Sequence, residues 1–202
     1  MTFSTAITER LGIRHPIILA PMGGVAGGEL AAAVTRAGGL GLIGAGYADE
    51  DWIGQQFDAT GDVQVGIGFI TWHLAKHPAR LEAALARKPR AVMLSFGDAA
   101  PFTDRIKRAG AALIMQVQSP AEAVEAKRLG AQIVSFQELF FGPYFCAEQK
   151  PKWYEAAEEV PNGPTVRLFA DQAKELGVVL VLPICEREGI ATYYNTAVVI
   201  DA

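Results

Sequence analysis

Apolar residues in this chain come in short, nearly unbroken runs rich in β-branched side chains. The runs are Ile17–Met22, Leu40–Gly46, Val63–Ile70, Ala91–Gly97, Ala112–Ser119, Ile133–Gln137, Val178–Cys185 and Thr196–Ile200. Runs of this length and makeup predict strands buried on both faces. Between most of them the period changes from strand-like to helical. Glu29–Ala37 ends at Gly38-Gly39, a helix stop; Arg80–Lys88 follows the third run. Pro101–Ala109 carries proline where a first turn tolerates it and Gly110 behind it. Ser119–Leu129 has Ser as N-cap, Pro in the first turn, Glu122 completing a capping box and Gly130 closing.

Strand and helix alternate at roughly 25-residue spacing, which predicts right-handed crossovers and a parallel sheet. Six such strands in a row favour a partial (β/α)8 barrel, although repetition alone does not separate it from a doubly wound sheet. The last connection breaks the rule. Only Glu186–Asn195 joins the final two runs, and a parallel crossover needs about a dozen residues or more. Those strands are expected to pair antiparallel. The predicted fold class is therefore α/β: about six parallel βα units, then an α/β segment ending in an antiparallel pair. An open edge after the sixth strand would need a cover, so a homo-oligomer is one expectation.

Composition narrows the function classes. The net charge of −4 argues against a general nucleic-acid binder. No run approaches a membrane span, and the N-terminus has no secretory pattern. Two scattered cysteines, Cys146 and Cys185, fit a reduced, cytoplasmic protein. The remaining partner class is a small-molecule substrate. Residues 132–202 hold 10 acids and 5 bases against 12 and 13 in residues 1–131. That shift supports two segments, 1–131 and 132–202.

The stretches ITERLGIRHPIILAPMGGVAGGELAAAVTRAGGLGLIGAG (7–46) and IMQVQSPAEAVEAKRLGA (114–131) resemble the nitronate monooxygenase family, FMN-dependent (β/α)8 barrels. The likeness covers residues 7–131 and implies FMN as cofactor. By it, Ala20, Pro21, Met22 and Gly23 line the flavin at the C-terminal face of the strands, where barrel enzymes place their sites. Gln137 and Gly142 carry over from the family's sixth-strand motif. This chain departs from the pattern twice. Gly68 replaces an Asn of the third strand, and Tyr144 stands where the family places its catalytic His. A phenol with a reference pKa near 10 is a poor base at neutral pH.

QIVSFQELFFGPYFC (132–146), GPTVRLFADQAKELGVVLVLPICERE (163–188) and YYNTAVVIDA (193–202) resemble the nitrilase, or carbon–nitrogen hydrolase, superfamily, in its β-ureidopropionase branch. That family uses a Cys nucleophile, a Glu base and a Lys. The likeness assigns the base to Glu138. The family's Lys and Cys lie downstream of VVIDA, so amide hydrolysis is expected to be incomplete here. Both families share a Gly-Ala step at 130–131, a natural seam for a chimera.

Three function classes follow: an FMN oxidoreductase scaffold with weakened or absent catalysis, a carbon–nitrogen hydrolase fragment, and a non-catalytic fused or engineered scaffold. Other signals are weaker. Gly39-x-Gly41-x-x-Gly44 matches a dinucleotide fingerprint in letters only, because a helix precedes it and its glycines lie along a strand. His73 and His77 have metal spacing but no third ligand, and no metal site is expected. Asp98 reads as a site residue or as a cap for the helix that follows. Trp72, Trp153, Tyr193 and Tyr194 read as packing residues.

Overall fold

The computed structural model describes residues 4–140, 148 and 150–201. Gly142, Tyr144 and Cys146 lie outside the described residues. The fold is α/β, and its strands pair in parallel except for the last pair. Two compact units share the chain. The first comprises 1–115 and 129–132, the second 116–128 and 133–202.

The first unit runs α1 (Ala6–Leu11), α2 (Gly28–Arg36), β1 (Leu42–Gly46), α3 (Glu50–Asp58), β2 (Gly66–Ile70), α4 (Thr71–Leu74), α5 (Ala79–Ala86), β3 (Ala91–Ser95), α6 (Ala100–Arg108) and β4 (Ala112–Val117), whose last two residues fall in the second unit. β1, β2, β3 and β4 are joined in that order by parallel ladders. Leu42, Ile43, Ile67, Val92, Leu94 and Leu113 are almost wholly buried. Each such side chain contributes roughly 1.5–3 kcal/mol on leaving water. Both strand faces are covered, which explains the unbroken apolar runs. Small residues set how tightly α2 packs. A Cβ on Gly41 would collide with the Ala31 carbonyl, and one on Gly28 with the Gln56 carbonyl. The fingerprint-like glycines therefore serve packing.

One expected strand is almost lost. Ile17–Met22 makes a single parallel bridge, Ile18 to Leu40. Pro16 and Pro21 remove backbone donors from the segment. At Met22 the chain already turns, its N–H donating to the Ala20 carbonyl at 2.9 Å.

The second unit holds α7 (Pro120–Arg128), β5 (Ile133–Phe136), a 3-10 helix (Pro151–Ala156), α8 (Pro164–Leu176), β6 (Val179–Glu188) and β7 (Thr192–Ile200). Ser119 caps α7, its hydroxyl accepting from the Glu122 N–H at 3.3 Å. The Glu122 carboxylate returns to the Gln118 N–H at 2.9 Å. β5 pairs with β6 in parallel, and β6 pairs with β7 antiparallel, from Leu180↔Ile200 to Glu188↔Thr192. Glu186–Asn195, expected as a connection, is mostly strand. The turn shrinks to Gly189–Ala191, where Gly189 takes a left-handed φ of 66°. α8, unremarked in the sequence pattern, buries Val166, Phe169 and Ala173.

Candidate functional site

In the first unit, the segment 20–24 follows the Ile18–Leu40 bridge and stays exposed apart from half-buried Pro21. It rests on two glycines. A Cβ on Gly44 of β1 would collide with the Met22 carbonyl, and one on Gly68 of β2 with the Pro21 ring. The loop is pinned by the Ala26 N–H, which donates to the Met22 carbonyl at 2.8 Å. Ala26 in turn accepts from the Gly44 N–H at 2.8 Å. The result is an exposed, side-chain-poor ledge against the middle of β1 and β2. Gly68 gains a physical reason: Pro21 occupies the volume an Asn would need.

Beyond the ends of β1 and β2 stand Tyr47, Trp72, His73 and His77. Tyr47 and Trp72 have ring centroids 5.8 Å apart, and Tyr47 meets His73 edge-on at 5.0 Å. Arg80 approaches His73, with Nη1 2.9 Å from Nδ1, and pairs with Glu50 at 4.0 Å. Burial, followed by the charges of Arg80, His77 and Lys76, holds His73 below the usual imidazole range. A backbone hydrogen bond to Gly46 opposes the shift. The His73 and His77 rings are 4.9 Å apart. Among the described residues no group of three or more His, Cys, Asp or Glu could hold a metal ion. Asp98 lies just ahead of α6, whose N-cap is Ala99, and its Oδ1 accepts from the Ala100 N–H at 3.0 Å. Trp72, Tyr193 and Tyr194 are partly exposed, and Tyr193 packs on Tyr154 with ring centroids 4.7 Å apart. They lie on a strand exit and on β7, where the described residues leave one side open.

In the second unit, Gln137 and Glu138 follow β5. The Oε1 of Gln137 is buried without a hydrogen-bond partner among the described residues. Glu138 is exposed, and its Oε1 accepts from Asn195 Nδ2 at 2.6 Å. Cys185, which is in no disulfide, stands opposite Asn195 in the β6–β7 register. The sequence reading missed Glu158. This carboxylate is buried, and it accepts from both the N–H and the hydroxyl of Thr165 in the first turn of α8. The acid placed shortly before Gly163-Pro164 was the available signal. Among the described residues no helix is long and apolar enough to cross a membrane.

Comparison with known proteins adds two family matches. The carbon-nitrogen hydrolase model matches residues 72–202, and the nitronate monooxygenase model residues 4–63. N-carbamoylputrescine amidase of Solanum lycopersicum is 42% identical over 77 residues, which are 38% of this chain and 25% of that protein. A probable nitronate monooxygenase of Staphylococcus saprophyticus is 48% identical over 56 residues, 28% of this chain and 16% of that protein. The chain thus spans about a quarter or less of these relatives. In fold it is similar to FabK from Thermotoga maritima, a TIM-barrel-like structure, with TM-score 0.69 and 23% identity over 90% of this chain and 54% of that one. The hydrolase match covers more than half of the chain, which therefore belongs to the carbon–nitrogen hydrolase family.

Proposed function

We propose that this member of the carbon–nitrogen hydrolase family carries in residues 1–131 an FMN-binding oxidoreductase scaffold of the nitronate monooxygenase type, with residues 132–202 as its nitrilase-like part. The observation that carries the reading is the 20–24 ledge, seated on Gly44 and Gly68 where any larger residue would push it away. A flat ring system needs close backbone and few side chains, and the ledge supplies both. Ala20, Pro21, Met22 and Gly23 would hold the flavin. FMN, when bound, supplies electron-transfer chemistry that no side chain here provides. The chain's own residues offer an apolar backbone face, with Pro21 keeping water from Gly68. Gln137, whose buried Oε1 has no partner among the described residues, fits a role in contacting a hydrogen-bond donor. Tyr144 in place of a catalytic His makes proton abstraction slow at neutral pH, so turnover of nitronates is weak or absent. A cytoplasmic setting fits the undisulfided Cys185. Association of copies over an exposed strand edge fits the largely exposed β7.

The test is spectroscopic. Adding FMN to the purified protein should shift the flavin bands and quench flavin fluorescence. A spectrum that stays that of free FMN sinks the reading.

A second reading takes Glu138 as the base of amide hydrolysis. It is favoured by the Asn195 hydrogen bond that fixes the carboxylate and by the family match. Release of ammonia from N-carbamoyl-β-alanine, abolished in Glu138→Gln, would establish it. The first reading expects no release.

A further inference from the structure

The ends of β1, β2 and β3 each present an aromatic ring to solvent. Tyr47 is 65% exposed, Trp72 45% and Phe96 48%. Exposed rings at three successive strand ends, on the face where barrel enzymes bind ligands, call for a reason. Phe96 adds a second, independent one. Its φ of 61° is left-handed, a genuine outlier for a bulky residue. Such strain costs about 1–3 kcal/mol and gathers at ligand sites. Here it is held by the chain around it. The Phe96 carbonyl accepts from the Trp72 N–H at 3.0 Å. Gly97, at φ 137°, passes so close that a Cβ would sit 2.9 Å from the Trp72 nitrogen. The fold thus spends strain on keeping Phe96 and Trp72 together in the open.

The rings also adjoin the ledge. A Cβ on Gly23 would lie 3.8 Å from the Gly46 Cα, and Gly46 immediately precedes Tyr47. Tyr47 and Trp72 are inclined at 55°, a cleft rather than a stack. The Lys76 ammonium lies 5.3 Å from the Trp72 ring centre, adding positive charge. We propose that Tyr47, Trp72 and Phe96 form a substrate subsite beside the ledge, one that takes a planar aryl group attached to a small anion. The proposal rests on the reading of segment 20–24 as a ligand-facing ledge and specifies the substrate class it serves. Aromatic contacts give the preference for an aryl over an alkyl group, and Lys76 gives the preference for an anion.

The experiment compares two probes of equal charge, the nitronate anions of phenylnitromethane and of nitroethane. Binding is measured by calorimetry on the whole protein, with and without added FMN. The phenyl anion should bind about tenfold tighter than the ethyl anion. Trp72→Ala and Tyr47→Ala should each remove most of that preference, so that the two anions bind with nearly equal affinity, while FMN added to either variant gives the same spectrum as with wild type. The two variants alter different elements, and thermal melts identify any that fails to fold. Equal affinity for the two anions, or a preference that survives both substitutions, overturns the proposal. In the unsubstituted protein, a spectrum that stays that of free FMN alongside a clear phenyl preference overturns only the FMN reading.

Discussion

Thr165 donates twice to Glu158: its backbone N–H reaches Oε2 at 2.8 Å, and its hydroxyl reaches Oε1. Glu158 is also tied through its own backbone, its N–H donating to the Cys185 carbonyl at 3.0 Å and its carbonyl accepting from the Arg187 N–H at 2.8 Å. One residue therefore fixes the start of α8 to the side of β6. Supplied from outside the helix, the Glu158 carboxylate sits at the N-terminus of α8 and complements its dipole.

Removing that carboxylate leaves Thr165 with two buried donors and no acceptor. Glu158→Ala should cost about 2–3 kcal/mol, since hydrogen bonds to charged groups are among the stronger ones. The melting midpoint should fall by roughly 4–10 °C. Gly163→Ala should destabilise as well, because its Cβ would strike the same carboxylate. Differential scanning calorimetry of both variants checks this; melts matching wild type would remove the clamp from the account.

Gly68→Asn restores the residue common in nitronate monooxygenases, yet it should weaken FMN binding. The new side chain needs the space of the Pro21 ring, so the ledge must lift. Gly44→Ala should act the same way through the Met22 carbonyl. Flavin titration of the two variants is the measurement, with tighter binding by Gly68→Asn as the contrary outcome.

His73 gives a pH dependence with a fixed sign. Its folded-state pKa lies below its ordinary value, through burial first and then Arg80, His77 and Lys76. The unfolded chain thus binds the proton more readily. The associated stability is present above the ordinary imidazole range and is lost as pH falls through it toward the folded value. The backbone hydrogen bond to Gly46 opposes the shift and limits the effect. Between about pH 7 and pH 5, His73→Gln should lose less stability than wild type. Melting curves at both pH values decide; parallel losses would count against it.

Glu138 and Asn195 should behave differently from Glu158. Both are exposed, so breaking their hydrogen bond should change stability by no more than about 0.5 kcal/mol. Asn195→Ala would then report on chemistry alone. A large fall in melting temperature would show that the contact holds β7 in place instead.

Much of the fold was legible because strand burial leaves a local mark. β1 to β6 all lie within or against their apolar runs, and the short link after Cys185 required an antiparallel pair. The Ile17–Met22 run misled because strand formation depends on donors and neighbours as well as hydrophobicity. Pro16 and Pro21 withdrew the donors. The site was legible only in part. The motif marked Ala20 to Gly23, but nothing local announced that Pro21 would fill the space above Gly68.

The sequence by itself determined the α/β class, the two family likenesses and the helix caps, because these depend on residues close along the chain. Tertiary structure alone decided that Trp72, Tyr47 and Phe96 would stand exposed at neighbouring strand ends. It alone paired Arg80 with His73 and Glu158 with Thr165. Those relations join residues brought together by sheet register and helix packing, and spacing along the chain carries no record of which side chains meet once the strands have paired.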